Sequence, residues 1–370
     1  MTTTTTTIVG ARGVGDLIVL TPHLLGYHPT ESLVVYVLRG RRVGPLLRLD
    51  LVPGSLGEAE SHAVDRALAA LAGMGSEGIV VAFEAWPGQS RATDERVREI
   101  ADELGLALGD TVRVRDDRWC WHIDDEEVGG GPVPAATDVP GVSDFVLHGS
   151  APLASRAEVG GLLRRVRGDV DAVAAHLRRL RAKTALADIV SPIGHRERDV
   201  DAAFEAWRAV LDPRRDPDPA TLAIAVRALD DLDVRDELIA WLAPEHGPDP
   251  QALPDHVRGH AADVLGPRTD LGDRDIAQRL TLVVQSTPDP DRAPVLVLLG
   301  LCAWSVGDAT RATEAIERAL ELDPEHRLGL LLRQLLIACV PPRGHDAQRR
   351  PVTQEGHEPT RTHAGGAGGL

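Results

Sequence analysis

Short apolar runs alternate with helical patterns over the first 123 residues. A continuous apolar run of strand length is typical of a strand that is covered on both faces, and Pro45 predicts an edge position for the strand that contains it. Asp16 predicts the cap of a first short helix, and Gly26 predicts its end. The next predicted elements are a strand pair at 33–38 and 43–52, a helix at 57–72, a strand at 78–85, a helix at 90–106 and short strands at 111–115 and 118–123. This order predicts an α/β domain, with a mixed sheet and helices packed on it.

The pattern changes in an acidic stretch near position 130 that is rich in glycine and proline. Strand patterns disappear after it, and a capping box, Ser155-x-x-Glu158, opens a series of helical patterns that continues to about residue 340. The predicted organisation is a disordered tail at 1–12, an α/β domain at 13–123, a linker at 124–143, an all-α domain at 144–340 and a disordered tail at 341–370.

One helical segment follows the tetratricopeptide signature, which has a 34-residue period. The matching positions are Leu296-x2-Leu299-Gly300-x2-Ala303, then Ala312-x3-Ile316, Ala319 and Pro324. We expect Gly300 to let two helices approach closely, with a turn at Gly307-Asp308 between them. Pro290 stands one period before Pro324. The segment predicts one tetratricopeptide-like hairpin that covers the preceding helices, and an ordinary helical hairpin is the alternative.

Composition and charge narrow the class of protein. The 40 basic and 56 acidic side chains give a net charge of −16, which argues against a general nucleic-acid binder. The basic stretch from Arg164 to Lys183 alternates with acidic residues and indicates a solvated helix face. Three scattered cysteines predict neither a disulfide framework nor a zinc site. Without a secretion signal or an apolar run of membrane length, we expect a cytoplasmic protein with no membrane or nucleic-acid partner, no metal and no cofactor.

Polar side chains gather where the turn at 22–32 leads into the first strand. His23, His28 and Glu31 lie close together there, but their spacing matches no metal-ligand motif, so capping or core histidines are the simpler interpretation. Arg48 and Asp50 are two residues apart on a strand and therefore share one face. They form either an exposed ion pair or the wall of a polar pocket, and ligands of α/β sheets usually bind at strand ends.

Two of the six tryptophans, Trp119 and Trp121, alternate along one strand and share a face, with Cys120 and His122 on the other. They indicate either core packing or a platform for a ligand or partner. We therefore predict one candidate pocket for a ligand or a partner, formed by His23, His28, Glu31, Ser32, Arg48, Asp50, Trp119 and Trp121.

Two glycine-containing loops do not support catalysis. Gly88-Gln89-Ser90 lies between a buried strand and a helix, as in a nucleophile elbow, but the last glycine of that motif is missing. Ser90 is therefore predicted to be a plain N-cap. The glycines at 10, 13 and 15 have the wrong order for a dinucleotide-binding loop.

Several segments together resemble the actinobacterial domain of unknown function 4192 family. They are Thr21-Pro22-His23-Leu24-Leu25-Gly26-Tyr27-His28-Pro29-x-Glu31-Ser32-Leu33-Val34, Leu47-Arg48-Leu49-Asp50-Leu51, Arg118-Trp119, Gly149 to Glu158 and Pro294 to Leu336. The resemblance implies an actinobacterial, cytosolic source and implies no activity. In the family a cysteine pair with proline often follows the tryptophan region. Asp124 to Gly131 stands there in this chain, so no metal or redox role is implied.

The function that we predict is that of a non-enzymatic protein, which binds a protein partner or a small ligand. The alternative is an enzyme of unknown reaction, a hydrolase or transferase, with its site at the strand ends of the α/β domain. Whether the chain is an enzyme stays open at this point.

Overall fold

The computed structural model describes residues 11–342, with gaps at 40–41, 52–56, 124–125, 148–149, 191–195 and 269–271. Apart from residues 11–12 and 341–342, the predicted disordered tails lie outside the described residues. The helices are α1 (Val14–Leu25), α2 (Glu58–Ala72), α3 (Arg91–Glu103), α4 (Pro140–Leu147), α5 (Arg156–Arg164), α6 (Val170–Val190), α7 (Arg196–Leu211), α8 (Pro219–Ala228), α9 (Leu232–Leu242), α10 (His260–Leu265), α11 (Asp273–Ser286), α12 (Arg292–Ser305), α13 (Ala309–Leu322) and α14 (Arg327–Ile337). The strands are β1 (Ser32–Arg39), β2 (Arg42–Asp50), β3 (Glu77–Phe83), β4 (Ala107–Arg115), β5 (Arg118–Ile123) and β6 (Glu126–Pro132).

The six strands form one mixed sheet in the order β2-β1-β3-β4-β5-β6. β3 and β4 are parallel, and the other neighbouring strands are antiparallel. The apolar run of β1 is fully buried from Leu33 to Val37, as a strand covered on both faces requires. β2, which contains Pro45, lies at the edge of the sheet, as predicted.

A strand occupies part of the segment predicted to be a linker. Residues 126–132 form β6, which pairs antiparallel with β5 and places Gly131 opposite Trp119 and Gly129 opposite Trp121. A Cβ atom added at Gly130 would lie 2.3 Å from the carbonyl oxygen of Trp119, so this pairing has no room for a side chain. The linker prediction is wrong for these residues, because the glycine-rich segment pairs with β5, and at Gly130 the close approach of that strand excludes a side chain.

Helices cover both faces of the sheet. Val35 and Val80 point toward α2 and α3, where they pack with Leu68. On the opposite face, Tyr36 packs with α1, and its hydroxyl is hydrogen-bonded to that of Thr21. The helix α1 ends at Gly26, whose φ of 79° is the left-handed conformation that glycine adopts without strain, as predicted.

The start of α1 differs from the prediction. Asp16 was expected to precede the helix as its cap, but Gly13 holds that position and Asp16 lies in the first turn. The Asp16 carboxylate accepts hydrogen bonds from the backbone N–H and the Nε of Arg12, each at 3.0 Å.

The helices from α5 to α14 enclose a second core that extends from Leu163 to Leu332 and has Phe204 and Trp207 near its centre. All described strands end before residue 133, so an α/β region followed by a helical region is confirmed. α12 and α13 form a helical hairpin with a turn at Gly307, where φ is 84°. A Cβ atom added at Gly300 would lie 2.7 Å from Cδ1 of Ile316, which confirms the close approach of the two helices.

Candidate functional site

Three of the predicted pocket residues form one hydrogen-bonded group at the edge of the sheet. The register of β1 and β2 places Ser32 opposite Asp50. Arg48 donates from Nε to Ser32 Oγ at 2.9 Å, and its Nη1 lies 2.6 Å from Asp50 Oδ1. The hydroxyl of Ser32 donates to the carbonyl oxygen of Thr30 at 2.7 Å. Arg48 and Asp50 therefore share a face, as predicted, and form an ion pair.

This group continues into the helical region through α5. Arg156 Nη1 lies 3.9 Å from Asp50 Oδ2, and Arg156 Nε donates to Glu314 Oε1 of α13 at 3.0 Å. We call Ser32, Arg48, Asp50, Arg156 and Glu314 the seam network, because they connect the sheet to the helical core. The side chain of Glu314 is only 15% exposed, so its charge needs the guanidinium group beside it.

Apolar contacts strengthen the same connection. Val159 of α5 belongs to the sheet core and Leu163, one turn later, belongs to the helical core. Tyr27, which is 2% exposed, bridges to Leu153 and lies near the charges of the seam network. Burial raises the pKa of the Tyr27 phenol, whereas Arg48 and Arg156 act in the opposite direction. Sequence reasoning missed Tyr27, Arg156 and Glu314, because their contacts join segments that are far apart in the chain.

Replacing Arg156 by methionine, which retains much of the apolar stem, should destabilise the protein by about 1–2 kcal/mol, because the mostly buried Glu314 carboxylate loses its partner. Urea unfolding measures this loss. The double variant Arg156→Met, Glu314→Gln should recover part of the lost stability, since it removes the unpaired charge. Equal losses in the single and double variants would contradict an interaction between the two side chains.

The histidines lie on the α1–α4 side of the sheet. His23 stacks on Phe145 with ring centroids 5.3 Å apart, and its Nδ1 is 3.1 Å from Ser150 Oγ. Burial lowers the pKa of His23, and the charge of His28 adds to this effect. The backbone N–H of His28 donates to the carbonyl oxygen of Leu153 at 2.9 Å. None of these contacts belongs to the seam network.

The exposed Glu31 contributes its carbonyl oxygen, which accepts from the N–H of Leu51 at 2.8 Å. Within the residues that the structure describes, no three His, Cys, Asp or Glu side chains are grouped so that they could hold a metal ion.

Trp119 and Trp121 pack edge to face, with ring centroids 6.2 Å apart, in the sheet core on the α1 side. β5 is four strands away from β2, so the tryptophans are about 19 Å from Arg48 at the usual strand spacing of ~4.8 Å. Cys120 and His122 lie on the opposite face, with Sγ 4.0 Å from Nε2. The tryptophans are therefore partly buried against the sheet core and do not contact the seam network.

The loop between β3 and α3 holds a buried serine–glutamate pair. Ser90 donates from its hydroxyl to Glu84 Oε1 at 2.6 Å and from its backbone N–H to the same oxygen at 2.9 Å. Ser90 is the N-cap residue of α3, as predicted, and its carbonyl oxygen accepts from the N–H of Asp94 at 2.8 Å. Its side chain accepts no hydrogen bond from the helix, because the hydroxyl donates to Glu84 instead. Ser90 is 0% exposed and the Glu84 side chain 1%, so the pair joins the end of β3 to the start of α3 where a substrate has no access.

The helical region contains a cavity of about 300 Å³ between α6, α8 and the ends of α12 and α13. Its walls combine charged, apolar and proline side chains. They come from Arg181, Val226, Arg227, Asp230, Pro290, Asp291, Ala293, Pro294, Leu322, Asp323 and Pro324. A cavity of this volume has room for about ten water molecules or a small organic molecule.

Ion pairs order the charged wall of this cavity. Arg181 of α6 binds both carboxylate oxygens of Asp291, with Nη1 3.1 Å from Oδ2. Arg227 Nη1 donates to Asp230 Oδ2 at 2.8 Å. Burial raises the pKa of the Asp230 carboxyl even though both arginines act to lower it. The arginines therefore compensate only in part for the burial of that carboxylate.

A repeated dipeptide in the sequence marks two segments of the cavity wall. Asp289-Pro290 and Asp323-Pro324 are the same dipeptide 34 residues apart. In consecutive helical hairpins, positions one period apart lie at the same end of the helices. Both prolines line the cavity, so the repeat marks helix ends that form part of its wall.

No helix in the described part of the chain is long and apolar enough to cross a membrane.

Comparisons with known proteins match the chain to a protein family. Neither a curated protein nor a solved structure matches the chain. The model of a family described as a domain of unknown function, DUF4192, matches residues 15–343 and so covers both the sheet and the helical region. The chain belongs to the DUF4192 family.

Proposed function

We propose that this chain is a non-enzymatic binding protein whose ligand occupies the cavity between α6, α8, α12 and α13. The observation that carries the proposal is the cavity itself, which combines ion-paired side chains with apolar surface from Val226, Ala293 and Leu322. Ligand sites combine apolar surface with placed polar groups, and here charged and apolar side chains contribute comparable shares of the wall. The hairpin α12–α13, which we interpret as tetratricopeptide-like, supplies part of that wall.

The predicted pocket at the sheet edge supports a different role. Arg48 and Asp50 are bound to each other and, through Arg156, to Glu314, so their charges are used in holding the two regions together. The alternative, an enzyme with its site at the strand ends, is the weaker proposal, since Glu84 and Ser90 bind each other out of contact with solvent. We propose an actinobacterial, cytoplasmic protein, which the resemblance to the family implies.

A variant that fills the cavity tests this function. The side chain of Leu322 lines the cavity, so Leu322→Trp should occupy its volume, whereas Leu331→Trp makes the same change at an exposed position of α14. A mixed panel of small cations, anions, zwitterions and neutral molecules would be screened against the full chain by saturation-transfer NMR. We expect bound compounds to be retained by Leu331→Trp and lost by Leu322→Trp. No bound compound, or equal binding by both variants, would refute the proposal.

A further inference from the structure

We infer that the cavity selects a small organic cation, one with a guanidinium or ammonium group on a short apolar stem. This inference rests on the proposed function and adds the charge class of the ligand. Three observations support it. The wall has more carboxylates than guanidinium groups, both guanidinium groups are already ion-paired, and two helices end at the wall with their C-termini.

The charged groups of the wall are unequal in number. Three carboxylates, those of Asp230, Asp291 and Asp323, face two guanidinium groups, those of Arg181 and Arg227. Both guanidinium groups are paired with carboxylates of the same cavity. The pairing leaves one carboxylate of the three without a cationic partner in the wall, so a ligand with one positive charge would balance the site.

The carboxylates of Asp323 and Asp230 can each accept further hydrogen bonds. Oδ1 of Asp323 accepts a hydrogen bond from the backbone N–H of Glu325 at 3.2 Å, and Asp230 is paired through Oδ2. An ionised carboxylate has about four acceptor positions, so each of these groups has acceptor positions beyond the contacts given. A guanidinium or ammonium group consists only of donors and matches them.

The helix ends at the cavity favour the same charge. α8 and α13 direct their C-terminal ends toward it, through Arg227 and through Leu322 with Asp323. The C-terminal end of a helix carries a partial negative charge, equivalent to about half an elementary charge, which attracts cations.

The N-terminus of α12, which also borders the cavity, is poorly equipped to bind an anion. Pro290 and Pro294 have no N–H, and the N–H of Ala293 already donates to the carbonyl oxygen of Pro290 at 3.0 Å. The carboxylate of Asp291 stands at the same helix end. At this helix end an anionic ligand would therefore meet few free backbone donors and the negative charge of Asp291. Among the described residues the buried Nε of Arg227 also lacks a hydrogen-bond partner, but it belongs to a guanidinium group that is already paired with Asp230.

The apolar part of the wall sets the shape of the ligand. Val226, Ala293 and Leu322 provide aliphatic surface, and the three prolines add rigid apolar faces. A stem of about four carbon atoms fits a volume of about 300 Å³ together with one planar guanidinium group. Butylguanidinium is therefore a suitable probe. Butylammonium, butyrate and butanol are matched probes that change only the head group.

Calorimetric titration of the full chain at pH 7 with these four probes tests the inference. We expect butylguanidinium and butylammonium to bind and butyrate and butanol not to bind. Asp230→Asn should weaken butylguanidinium binding at least tenfold, and Asp323→Asn provides a second variant at the same wall. Asp255→Asn, a matched change at a side chain that is 94% exposed, should leave affinity within twofold of the parent.

The outcomes separate this inference from the proposed function. Binding of butyrate in preference to the cations, with loss in Leu322→Trp, would overturn the cation assignment and leave the binding function intact. Cation affinity unchanged by both Asp230→Asn and Asp323→Asn would also overturn it. A failure of every probe and of the mixed panel would refute both. A capped Gly-Gly-Arg-Gly-Gly peptide shows whether the cation is a partner's side chain or a free molecule, and binding of either supports the assignment.

Discussion

Replacing Trp207 by alanine should destabilise the protein by about 3–5 kcal/mol, the typical cost of truncating a large aromatic side chain in a core. Trp207 is fully buried in α7 and packs in the helical core together with Phe204. The cost arises from lost apolar burial and from the cavity that alanine leaves behind. Guanidinium chloride unfolding, monitored by far-UV circular dichroism, measures the change.

Phenylalanine at the same position is the matched control. The indole N–H of Trp207 is buried, and it has no acceptor among the residues that the structure describes. Trp207→Phe removes this unsatisfied donor and retains a ring, so it should cost less than about 1.5 kcal/mol. A loss as large as that of Trp207→Ala would show that the indole N–H makes a strong hydrogen bond, contrary to this account.

The second large effect is expected at Gly300, where the two helices of the hairpin meet. A Cβ atom at this position would lie 2.7 and 2.8 Å from Cδ1 and Cγ1 of Ile316, which is itself 1% exposed. Gly300→Val should therefore force α12 and α13 apart and cost about 1–3 kcal/mol, although valine favours helix more than glycine does. The loss is measured as a lower denaturant midpoint.

Gly161 provides the control for helix propensity. It lies inside α5, and an added Cβ atom there would meet no heavy atom within 4 Å. Gly161→Val should change stability by less than about 0.5 kcal/mol. The double variant Gly300→Val, Ile316→Ala should lose less than the sum of its single variants, since alanine removes the atoms that clash. Additive losses would contradict a direct contact between positions 300 and 316.

The local pattern was enough to predict most of the fold. The continuous apolar run of β1, Pro45 in the edge strand and Gly26 at the end of α1 each act through their own backbone or their immediate neighbours. The sequence does not predict β6, because glycines carry no period-2 pattern, and the close approach of β5 that requires glycine at position 130 is visible only in the structure. Asp16 was misplaced by a few residues, which is the usual uncertainty at helix ends.

The site was less predictable than the fold. Arg48 and Asp50 are neighbours on one strand face, so their contact follows from the two-residue period of a strand. Glu314 and Arg156 are 158 positions apart, and no local rule brings them together. The tryptophans were grouped with Arg48 because the order of the strands was unknown. The cavity depends on four separate segments, and only the repeated Asp-Pro dipeptide pointed to it.

The most direct test of the account is amide hydrogen exchange of the full chain with and without saturating butylguanidinium. If the ligand lies between α6, α8, α12 and α13, exchange should slow at the backbone amides of residues 226–231, 291–293 and 322–323. The sheet edge should be unaffected. Protection confined to residues 26–32 and 46–50 would place the ligand at the strand ends and contradict the assignment of the site to the helical region.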